Sequence, residues 1–319
     1  MKSTSLRRVS IACAALFGVM LASSSVRAAT ATVNPGQSIQ AALDAVAAAG
    51  GGTVYVTSGN YTLYSKCQVP SNVTLKGSGA TRPVLTPATR WNDDVVCNKS
   101  IPFTAVKVDY ISVNGGLTNA QMDAGTYNNT NGIDISDQHN TVTNVNGTII
   151  NCYATNCSMG YVMGRISNAS LDSCTVTNCG GAPIGTTPGL HNIYISDCDP
   201  FIARYVTATY CRTGMGLKLT DFYGTRTETS QIVEYCQLNN NFDRGTAIYD
   251  LNPLIVRNNT CNNNGKSGIN ILRCTSGGQL LNNTATGNGN VVNVAYDIWL
   301  NACSGMSISG NTYGTKSGF

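Results

Sequence analysis

The sequence predicts an all-β solenoid of stacked coils, preceded by one short capping helix. Three observations lead to this prediction. Short strands, many of them led by glycine, recur every 22 to 32 residues, and the turns between them are rich in Asn, Thr and Cys. Charged residues make up only 11% of the chain, and helical periodicity is nearly confined to its beginning. A loosely periodic array of this kind is typical of coils that each pack on their neighbours.

The first 28 residues have the composition of a secretory signal peptide. Lys2, Arg7 and Arg8 precede an apolar run at 9–22, and small residues follow up to Ala28. We expect cleavage after Ala28 and a secreted or periplasmic mature protein. The apolar run is shorter than the roughly 18 residues that a membrane span needs. No later segment of the sequence offers such a run either, so no membrane span is expected in the mature chain.

The charge balance changes when the signal peptide is removed. The chain has 20 Lys and Arg residues against 16 Asp and Glu, and four of the basic residues lie in the leader. The mature chain therefore has 16 of each sign and no visible basic cluster. This argues against a nucleic-acid partner, which needs a concentrated positive surface. We expect the mature chain to be monomeric.

The mature chain begins with the only clear helical pattern. Ser38 can cap a short helix, and the glycine run at 50–52 can end it. Its apolar stripe is expected to consist of Ile39, Leu43 and Val46. Because the open end of a stacked β structure exposes its core, we interpret this segment, within 29–60, as a cap on one domain at 29–319.

The strands that follow come in pairs. The first strands are GIDI at 132–135, GYVM at 160–163, NIYI at 192–195, GLKL at 216–219, TAIYD at 246–250, GINI at 268–271 and DIWL at 297–300. Second strands lie between them and end in polar turns. The runs of asparagine in these turns are interpreted as stacks that satisfy the backbone of neighbouring coils.

Twelve cysteines remain after the leader, and their spacing equals the repeat length. Cys152 and Cys174 are 22 residues apart, and Cys211, Cys236 and Cys261 follow at intervals of 25. A cysteine in one coil can therefore lie over one in the next, either stacked as a small buried hydrophobe or joined in a disulfide. An exported chain with an even cysteine count makes both plausible. The close pairs are CxxxxC, so zinc is not expected.

The segment SIQAALDAVAAAGGGTVYVTSGNYTL and the later GIxI repeats resemble the pectate-lyase-like superfamily. The resemblance spans nearly the whole mature chain and implies a right-handed parallel β-helix. That superfamily includes polysaccharide lyases, glycoside hydrolases, uronate epimerases, phage tailspikes and proteins without known activity. The resemblance therefore implies a fold without choosing one chemistry.

Strand alternation predicts which side chains point outward. With Ile193 and Ile195 inside, Tyr194 points out, and Lys218 does so between two inward leucines. The same register predicts an outward ladder of Asp134, Val162, Tyr194, Lys218, a position near Thr246 or Tyr249, Asn270 and Trp299. Rungs lie about 4.8 Å apart, so several can contact one glycan. Asp134, Asn270 and Trp299 are candidate substrate-binding residues, although Tyr194 and Trp299 are also ordinary strand residues.

A polysaccharide lyase acting on a uronate-containing glycan is the leading functional hypothesis. β-Elimination needs a base, a group that stabilises the anion and an acid for the leaving oxygen. Lys218 is the candidate base, Tyr194 or His191 the acid, and Arg244 or Arg212 the carboxylate clamp. Some β-helix lyases of similar fold use a lysine with an arginine on a nearby coil. A solvated lysine, and a His191 that donates to a backbone carbonyl, are the alternatives.

Two other hypotheses remain open. A glycoside hydrolase would use paired carboxylates, and the candidates are Asp197, Asp199 and Asp221. The chain lacks the NTD and GHG motifs of polygalacturonase-type hydrolases, and Asp199 before Pro200 is also typical of a turn. No cofactor is required, although Asp197 and Asp199 are a weak candidate calcium pair. The third hypothesis is a non-catalytic glycan-binding solenoid. His139 is expected to be a solvated turn residue.

Overall fold

The chain folds into a right-handed parallel β-helix, as predicted. The computed structural model describes residues 28–89, 91–125, 129–137, 144–182, 190–221, 229–289 and 296–318. The predicted signal peptide, apart from Ala28, lies outside these residues, as does His139.

Short strands dominate the structure. In chain order the elements are β1 (Ala29–Val33), α1 (Ile39–Ala48), β2 (Gly52–Thr57), β3 (Asn60–Leu63), β4 (Cys67–Val69), β5 (Val73–Ser78), β6 (Val84–Pro87), β7 (Val96–Asn98), β8 (Thr104–Asp109), β9 (Ser112–Asn114), α2 (Asn119–Ala124), β10 (Ile133–Ser136), β11 (Asn144–Ile150), β12 (Tyr153–Thr155), β13 (Tyr161–Gly164), β14 (Ile166–Asp172), β15 (Thr175–Thr177), β16 (Ile193–Ser196), β17 (Phe201–Arg204), β18 (Thr207–Thr209), β19 (Leu217–Thr220), β20 (Gln231–Glu234), β21 (Thr246–Tyr249), β22 (Leu254–Arg257), β23 (Ile269–Leu272), β24 (Gln279–Leu281), β25 (Thr284–Ala285), β26 (Ile298–Asn301), β27 (Ser307–Ser309), β28 (Thr312–Tyr313) and β29 (Lys316–Ser317).

Three parallel sheets run along the solenoid. The first sheet has 11 strands in the order β1-β2-β5-β8-β11-β14-β17-β20-β22-β24-β27. The second sheet has 10 strands in the order β29-β26-β23-β21-β19-β16-β13-β10-β7-β4, and the third has six, β18-β15-β12-β9-β6-β3. Strands β25 and β28 form a separate parallel pair. Successive coils thus add strands to the same sheets, and residues one repeat apart become neighbours.

The helix α1 covers the N-terminal end of the core, as expected. The Ser38 hydroxyl accepts a hydrogen bond from the Ala41 N–H, and the helix gives way to a positive-φ glycine at Gly50. The buried face is the predicted stripe of Ile39, Leu43 and Val46. This stripe packs with the first strands into one continuous hydrophobic cluster.

A second helix, α2, was not expected from periodicity. It has a capping box in which Thr118 and Gln121 bond each other's backbone, and it ends at Gly125 in the left-handed conformation. Only Met122 of this helix is buried. A six-residue helix with one buried residue has no apolar stripe to detect, and the Thr–x–x–Gln spacing was its only sequence signal.

Cysteines stack in the turns as free thiols, and the disulfide alternative is not what the structure shows. All twelve cysteines in the described part of the chain are unbonded. Cys152 and Cys174 are neighbours, since the Cys152 N–H donates to the Cys174 sulfur at 3.4 Å. Each thiol instead donates within its own turn, Cys152 to the Ile150 carbonyl at 3.2 Å and Cys174 to the Asp172 carbonyl at 3.1 Å. The sulfurs are therefore directed to backbone acceptors.

Asparagine replaces cysteine in the same turn position towards the C-terminus. The Cys211 N–H donates to Asn241 Oδ1 at 3.1 Å, and the Asn241 N–H donates to Asn264 Oδ1 at 2.9 Å. The Asn264 N–H donates in turn to Asn288 Oδ1 at 2.9 Å. The predicted asparagine stack is confirmed here, and it satisfies buried turn backbone from coil to coil.

Neither α1 nor α2 is long and apolar enough to cross a membrane, and these are the helices of the described residues.

Candidate functional site

The predicted outward ladder of the second sheet is confirmed in its register. Tyr194 pairs with Lys218, and Lys218 pairs with Ala247, the position that the sequence left open. The full row is Asp134, Val162, Tyr194, Lys218, Ala247, Asn270 and Trp299. Thr246, one of the two residues considered for that position, is fully buried in register with Leu217 and Ile269.

The ladder is less exposed than its register suggested. Asp134, Val162, Ala247 and Asn270 are each at most 4% exposed. Tyr194, Lys218 and Trp299 are half-buried and reach the surface. As the structure stands, Asp134 and Asn270 can meet a ligand only if their surroundings move.

Lys218 lies between two tyrosine rings. Its Nζ is 5.1 Å from the centre of the Tyr194 ring and 6.0 Å from that of Tyr249. Among the described residues no carboxylate forms an ion pair with Lys218. Burial lowers the pKa of Lys218, because the low-dielectric surroundings disfavour the ammonium form. Such a lysine has an enlarged neutral fraction and can act as a base.

His191 is buried and neutral. Its Nδ1 accepts a hydrogen bond from the Met215 N–H at 3.2 Å, so the ring proton belongs on Nε2. Burial, and then the positive charges of Lys218 and Arg244, lower the pKa of His191 to about 3. The sequence alternative was a His191 that donates a hydrogen bond to a backbone carbonyl. The structure shows a backbone contact, but His191 accepts the hydrogen bond at Nδ1. The His191 and Tyr194 rings are tilted by 46° with centres 6.2 Å apart.

Arg244 is held beside this group by a neighbouring acid. Its guanidinium pairs with Asp243 at 2.8 Å, and Asp243 also pairs with Lys266 at 3.1 Å. The Gly216 N–H donates to the Arg244 carbonyl at 2.9 Å, which places Arg244 one coil beyond the strand of Lys218. Its Nε is buried and has no hydrogen-bond partner in the described part of the chain. The positive charge of Arg244 acts on both His191 and Tyr249.

Arg212, the other candidate clamp, is engaged elsewhere. Its guanidinium forms three hydrogen bonds to the Asp123 carboxylate of α2, at 2.7 to 3.0 Å. It lines an open groove of about 590 Å³ together with Tyr210 and Phe242. The structure thus joins Arg212 to α2, while Arg244 is the arginine whose charge reaches His191.

The three aspartates proposed for hydrolysis occupy turns at the ends of their strands. Asp197 and Asp221 follow β16 and β19 on neighbouring coils, are at most 8% exposed, and continue the backbone ladder. Asp199 caps another turn, where its Oδ1 accepts bonds from the Thr229 and Ser230 backbone and from the Gln231 side chain. Asp199 therefore behaves as the predicted turn residue. Among the described residues, no group of three or more His, Cys, Asp or Glu side chains is arranged to hold a metal.

A carboxyl pair that the sequence did not reveal lies at the N-terminal side of the ladder. The Asn131 amide donates to Asp94 at 2.9 Å and to Asp134 at 3.3 Å, and the Ser136 hydroxyl donates to Asp134. Burial and the Asp134 charge raise the pKa of Asp94 to about 8. In the sequence, Asp93 and Asp94 are the only adjacent aspartates, but their place ahead of the regular repeats argues against a role in hydrolysis.

Tyr249 was considered only for its strand position. It reaches the site because it lies two residues beyond Ala247 on the same strand, and alternation turns both side chains outward. Desolvation raises its pKa. Its sequence signal was therefore present in the alternation of TAIY.

Another cavity, of about 530 Å³, lies at the N-terminal cap and is lined by residues 36–40 and 60–67. Neither this cavity nor the 590 Å³ groove includes Lys218 or Tyr194. The candidate site is thus a shallow ladder face and not one of these two cavities.

The fold and this outward ladder define a protein of the pectate-lyase-like β-helix class. The chain belongs to the family described as rhamnogalacturonase A/epimerase, pectate lyase-like, which matches residues 30–218. No curated protein sequence matches the chain.

Solved structures with a similar fold come from several kinds of protein. The A-module of mannuronan C-5 epimerase AlgE6 from Azotobacter vinelandii aligns with a TM-score of 0.60 and 19% identity, covering 88% of this chain and 82% of that one. DFA-IIIase from Arthrobacter chlorophenolicus, without its lid, aligns at 0.55 and 14% identity, with 91% and 90% covered. Tailspike protein 2 of bacteriophage CBA120 aligns at 0.57 and 14%, with 87% and 42% covered. At these identities the similarity supports the fold alone.

Proposed function

We propose that the protein is a polysaccharide lyase that cleaves a uronate-containing glycan by β-elimination at Lys218. The observation that carries the proposal is the surroundings of Lys218. This lysine is half-buried between Tyr194 and Tyr249, its pKa is lowered by burial, and no carboxylate neutralises it among the described residues. An acidic glycan provides the anion that such a site lacks.

In this mechanism the neutral Lys218 amine removes the proton on the carbon next to the uronate carboxyl group. Electrons of that C–H bond form the carbon–carbon double bond as the glycosidic C–O bond breaks. The leaving oxygen takes a proton from a tyrosine hydroxyl, and Tyr194 is the first choice because it is the neighbouring rung. Tyr249 is the second tyrosine within reach of Lys218.

The carboxylate clamp in this proposal is Arg244. Its pairing with Asp243, which Lys266 also contacts, holds the guanidinium in place before a ligand binds. Preorganised cations stabilise negative charge that develops in the transition state. Arg212 is the weaker choice because Asp123 already takes up its hydrogen-bonding edge.

His191 has a supporting role in the proposal. As a neutral ring with Nδ1 bonded to the Met215 N–H, it offers only the Nε2–H as a donor. It therefore stabilises negative charge by hydrogen bonding and packs beside Tyr194. A tyrosine hydroxyl is left as the proton source for the leaving oxygen.

The test uses the processed protein with alginate, pectate, glucuronan and neutral glycans. A lyase leaves an unsaturated sugar that absorbs short-wavelength ultraviolet light, together with new reducing ends. Lys218→Ala should reduce the rate at least about 10²-fold, the lower range for loss of a general base. Lys107→Ala is the matched control, because Lys107 is a partly exposed lysine of the first sheet. Absence of unsaturated product from every acidic glycan, or a fully active Lys218→Ala protein, would refute the proposal.

C-5 epimerisation of a uronate begins with the same proton removal, so the glycan recovered from each incubation is also analysed for its uronate composition. Inversion at C-5 without chain cleavage would reassign the reaction while keeping Lys218 as the base. Binding without either product would point to the non-catalytic alternative.

A hydrolase is the second candidate, and one observation favours it. Asp94 and Asp134 share the Asn131 amide, and burial together with the Asp134 charge raises the pKa of Asp94 to about 8, so Asp94 can carry a proton near neutral pH. Acid and base carboxyls are what glycoside hydrolysis needs. New reducing ends without the ultraviolet chromophore, lost in Asp94→Asn but kept in Lys218→Ala, would select this function. The earlier candidates Asp197, Asp199 and Asp221 remain a further hydrolytic alternative.

A further inference from the structure

The ladder carries the same two-ring arrangement twice. His191 and Tyr194 are three residues apart, with ring centres at 6.2 Å and a tilt of 46°. Tyr296 and Trp299 are also three residues apart, with ring centres at 6.3 Å and a tilt of 43°. Tyr194 and Trp299 belong to the same outward row. The two ring pairs therefore face the same side of the solenoid.

The second ring pair lies beyond Lys218 in the C-terminal direction. The row runs from Lys218 through Ala247 and Asn270 to Trp299, which is three rungs or about 14 Å. A sugar unit of an extended glycan is comparable in length to one rung. A chain bound at Lys218 and running along the row would place a sugar ring over Trp299.

Trp299 stands above both of its neighbours in the row. On one side is the buried Asn270, and on the other is Ser317 of the last strand. Both side chains are smaller than an indole, so the half-buried ring projects from the sheet. Asn270 Oδ1 is buried and has no hydrogen-bond partner among the described residues. Such an orphaned acceptor is costly, and a sugar hydroxyl on this rung can satisfy it if the side chains that cover Asn270 move.

Beyond Tyr194, the described part of the row offers no comparable surface in the N-terminal direction. There the row continues through Val162 and Asp134, which are 4% and 2% exposed. Asp134 also faces Asp94 across the Asn131 amide, which makes this end unsuitable for a second uronate carboxylate. Apart from Tyr194, which directly flanks Lys218, the exposed ring surface of the described row lies to the C-terminal side of Lys218.

We infer that the Tyr296–Trp299 pair is a platform for a sugar ring of an acidic glycan, so that productive binding extends from Lys218 towards the C-terminal end of the solenoid. The inference rests on the proposed function for the identity of the glycan. Aromatic rings bind sugars by stacking on their C–H faces, with polar groups at the edges. The site predicts a preference for chains long enough to reach Trp299.

Binding can be measured without catalysis from the fluorescence of Trp299, because Trp91 is the only other tryptophan in the sequence. In the double variant Trp91→Phe, Lys218→Gln, Trp299 is the only tryptophan and cleavage of the probe is blocked. This protein is titrated with hexamers and dimers of galacturonate, mannuronate and guluronate. At least one hexamer should change the Trp299 emission saturably, with an affinity roughly tenfold above that of its dimer. A hexamer that binds by calorimetry without changing the emission, or no binding by any hexamer at millimolar concentration, would overturn the inference.

Kinetics on the otherwise unchanged protein give the second arm. Trp299→Ala should raise KM for the hexamer roughly tenfold and leave KM for the shortest cleaved oligomer unchanged. Trp299→Phe keeps a ring and should retain most of the affinity, which separates a platform from a folding defect. Tyr205→Ala, at an exposed ring outside the row, is the matched control. An equal effect of Trp299→Ala on all chain lengths would contradict the platform.

The two arms separate the inference from the proposed function. A Trp299 signal in a protein that cleaves no glycan would remove the lyase and keep the platform. Cleavage that depends on Lys218 but not on Trp299 would keep the lyase and remove the platform.

Discussion

At the scale of single residues, burial controls the chemistry of the candidate site. It lowers the pKa of Lys218 and His191, and it raises that of Asp94 and Tyr249. All four shifts have the same cause, because a low-dielectric surrounding disfavours whichever form is charged. Their consequences differ. A larger fraction of Lys218 is neutral and able to accept a proton, whereas His191 is prevented from carrying a positive charge at neutral pH.

His191 should make the protein sensitive to acid. Its pKa is lowered from 6.5 to about 3 on folding, so the unfolded chain binds more protons between those values and stability falls as pH drops from 6.5 towards 3. Urea unfolding at pH 4 and pH 7 should show a loss on the order of 2 kcal/mol from this residue. His191→Gln keeps an acceptor for the Met215 N–H and should flatten the pH dependence. An unchanged slope in this variant would contradict the assignment.

Asp94 should act in the opposite pH direction. Its pKa rises from 3.8 to about 8 on folding, so the folded protein binds more protons and stability falls as pH increases through this window. Asp94→Asn should therefore gain stability relative to the parent at pH 8, by on the order of 2 kcal/mol, and lose this advantage near pH 4. Thermal unfolding at both pH values measures the difference. Asp250→Asn, at a carboxylate that pairs with Arg273 and does not contribute to the Asp94 pKa shift, is the control and should show no such trend.

At the scale of elements, regular hydrogen bonds join the turns of neighbouring coils, as they join the strands. Positions next to left-handed residues such as Asn240 and Asn263 hold stacked thiols in some coils and stacked amides in others. A thiol has one weak S–H donor and a weak acceptor, whereas a side-chain amide has two N–H donors and an acceptor oxygen and bonds groups of two neighbouring coils more strongly. The turn chemistry therefore links each coil to the next.

Removing one amide from this stack should be costly. Asn241 accepts from the Cys211 N–H and from Asn192, and donates to the Ala208 carbonyl and to Asn264. Asn241→Ala leaves several buried groups unpaired and should lower the free energy of unfolding by about 3 kcal/mol. Chemical denaturation measures this loss. Asn60→Ala, at an exposed asparagine of β3, should change it by less than about 0.5 kcal/mol; equal losses would argue against the stack.

At the scale of the whole molecule, stacking in register turns a one-dimensional repeat into a surface. Residues that are distant in sequence, such as Tyr194 and Trp299, share one face because each coil adds a rung. The same stacking accounts for the fold that this chain shares with several kinds of β-helix protein despite low sequence identity. What such proteins can bind depends on which side chains occupy the rungs.

The cysteines permit a test of the whole fold. Because all twelve in the described residues are free, alkylation under denaturing but non-reducing conditions should label twelve thiols in the processed protein. A reducing agent should leave the thermal midpoint unchanged, since no disulfide constrains the unfolded chain. Fewer than twelve labelled thiols by mass spectrometry would show that cystine forms.

Local pattern was sufficient for much of the architecture. Alternation assigned Tyr194 and Lys218 to one outward row, and the Ser38 cap and apolar stripe located α1. These predictions succeed because each depends on neighbours along the chain or one repeat away. Secretion and the signal peptide remain predictions from composition.

Tertiary packing decided what pattern could not. Asp94 contacts Asn131, which lies 37 residues further along the chain on the coil of Asp134. This separation exceeds the regular repeat because α2 lengthens the coil between them. Arg212 turns to Asp123 of that same helix. The register of the ladder therefore followed from the sequence through its periodicity, whereas burial, ion pairing and proton affinity followed from the folded structure, because they depend on side chains that irregular coils bring together.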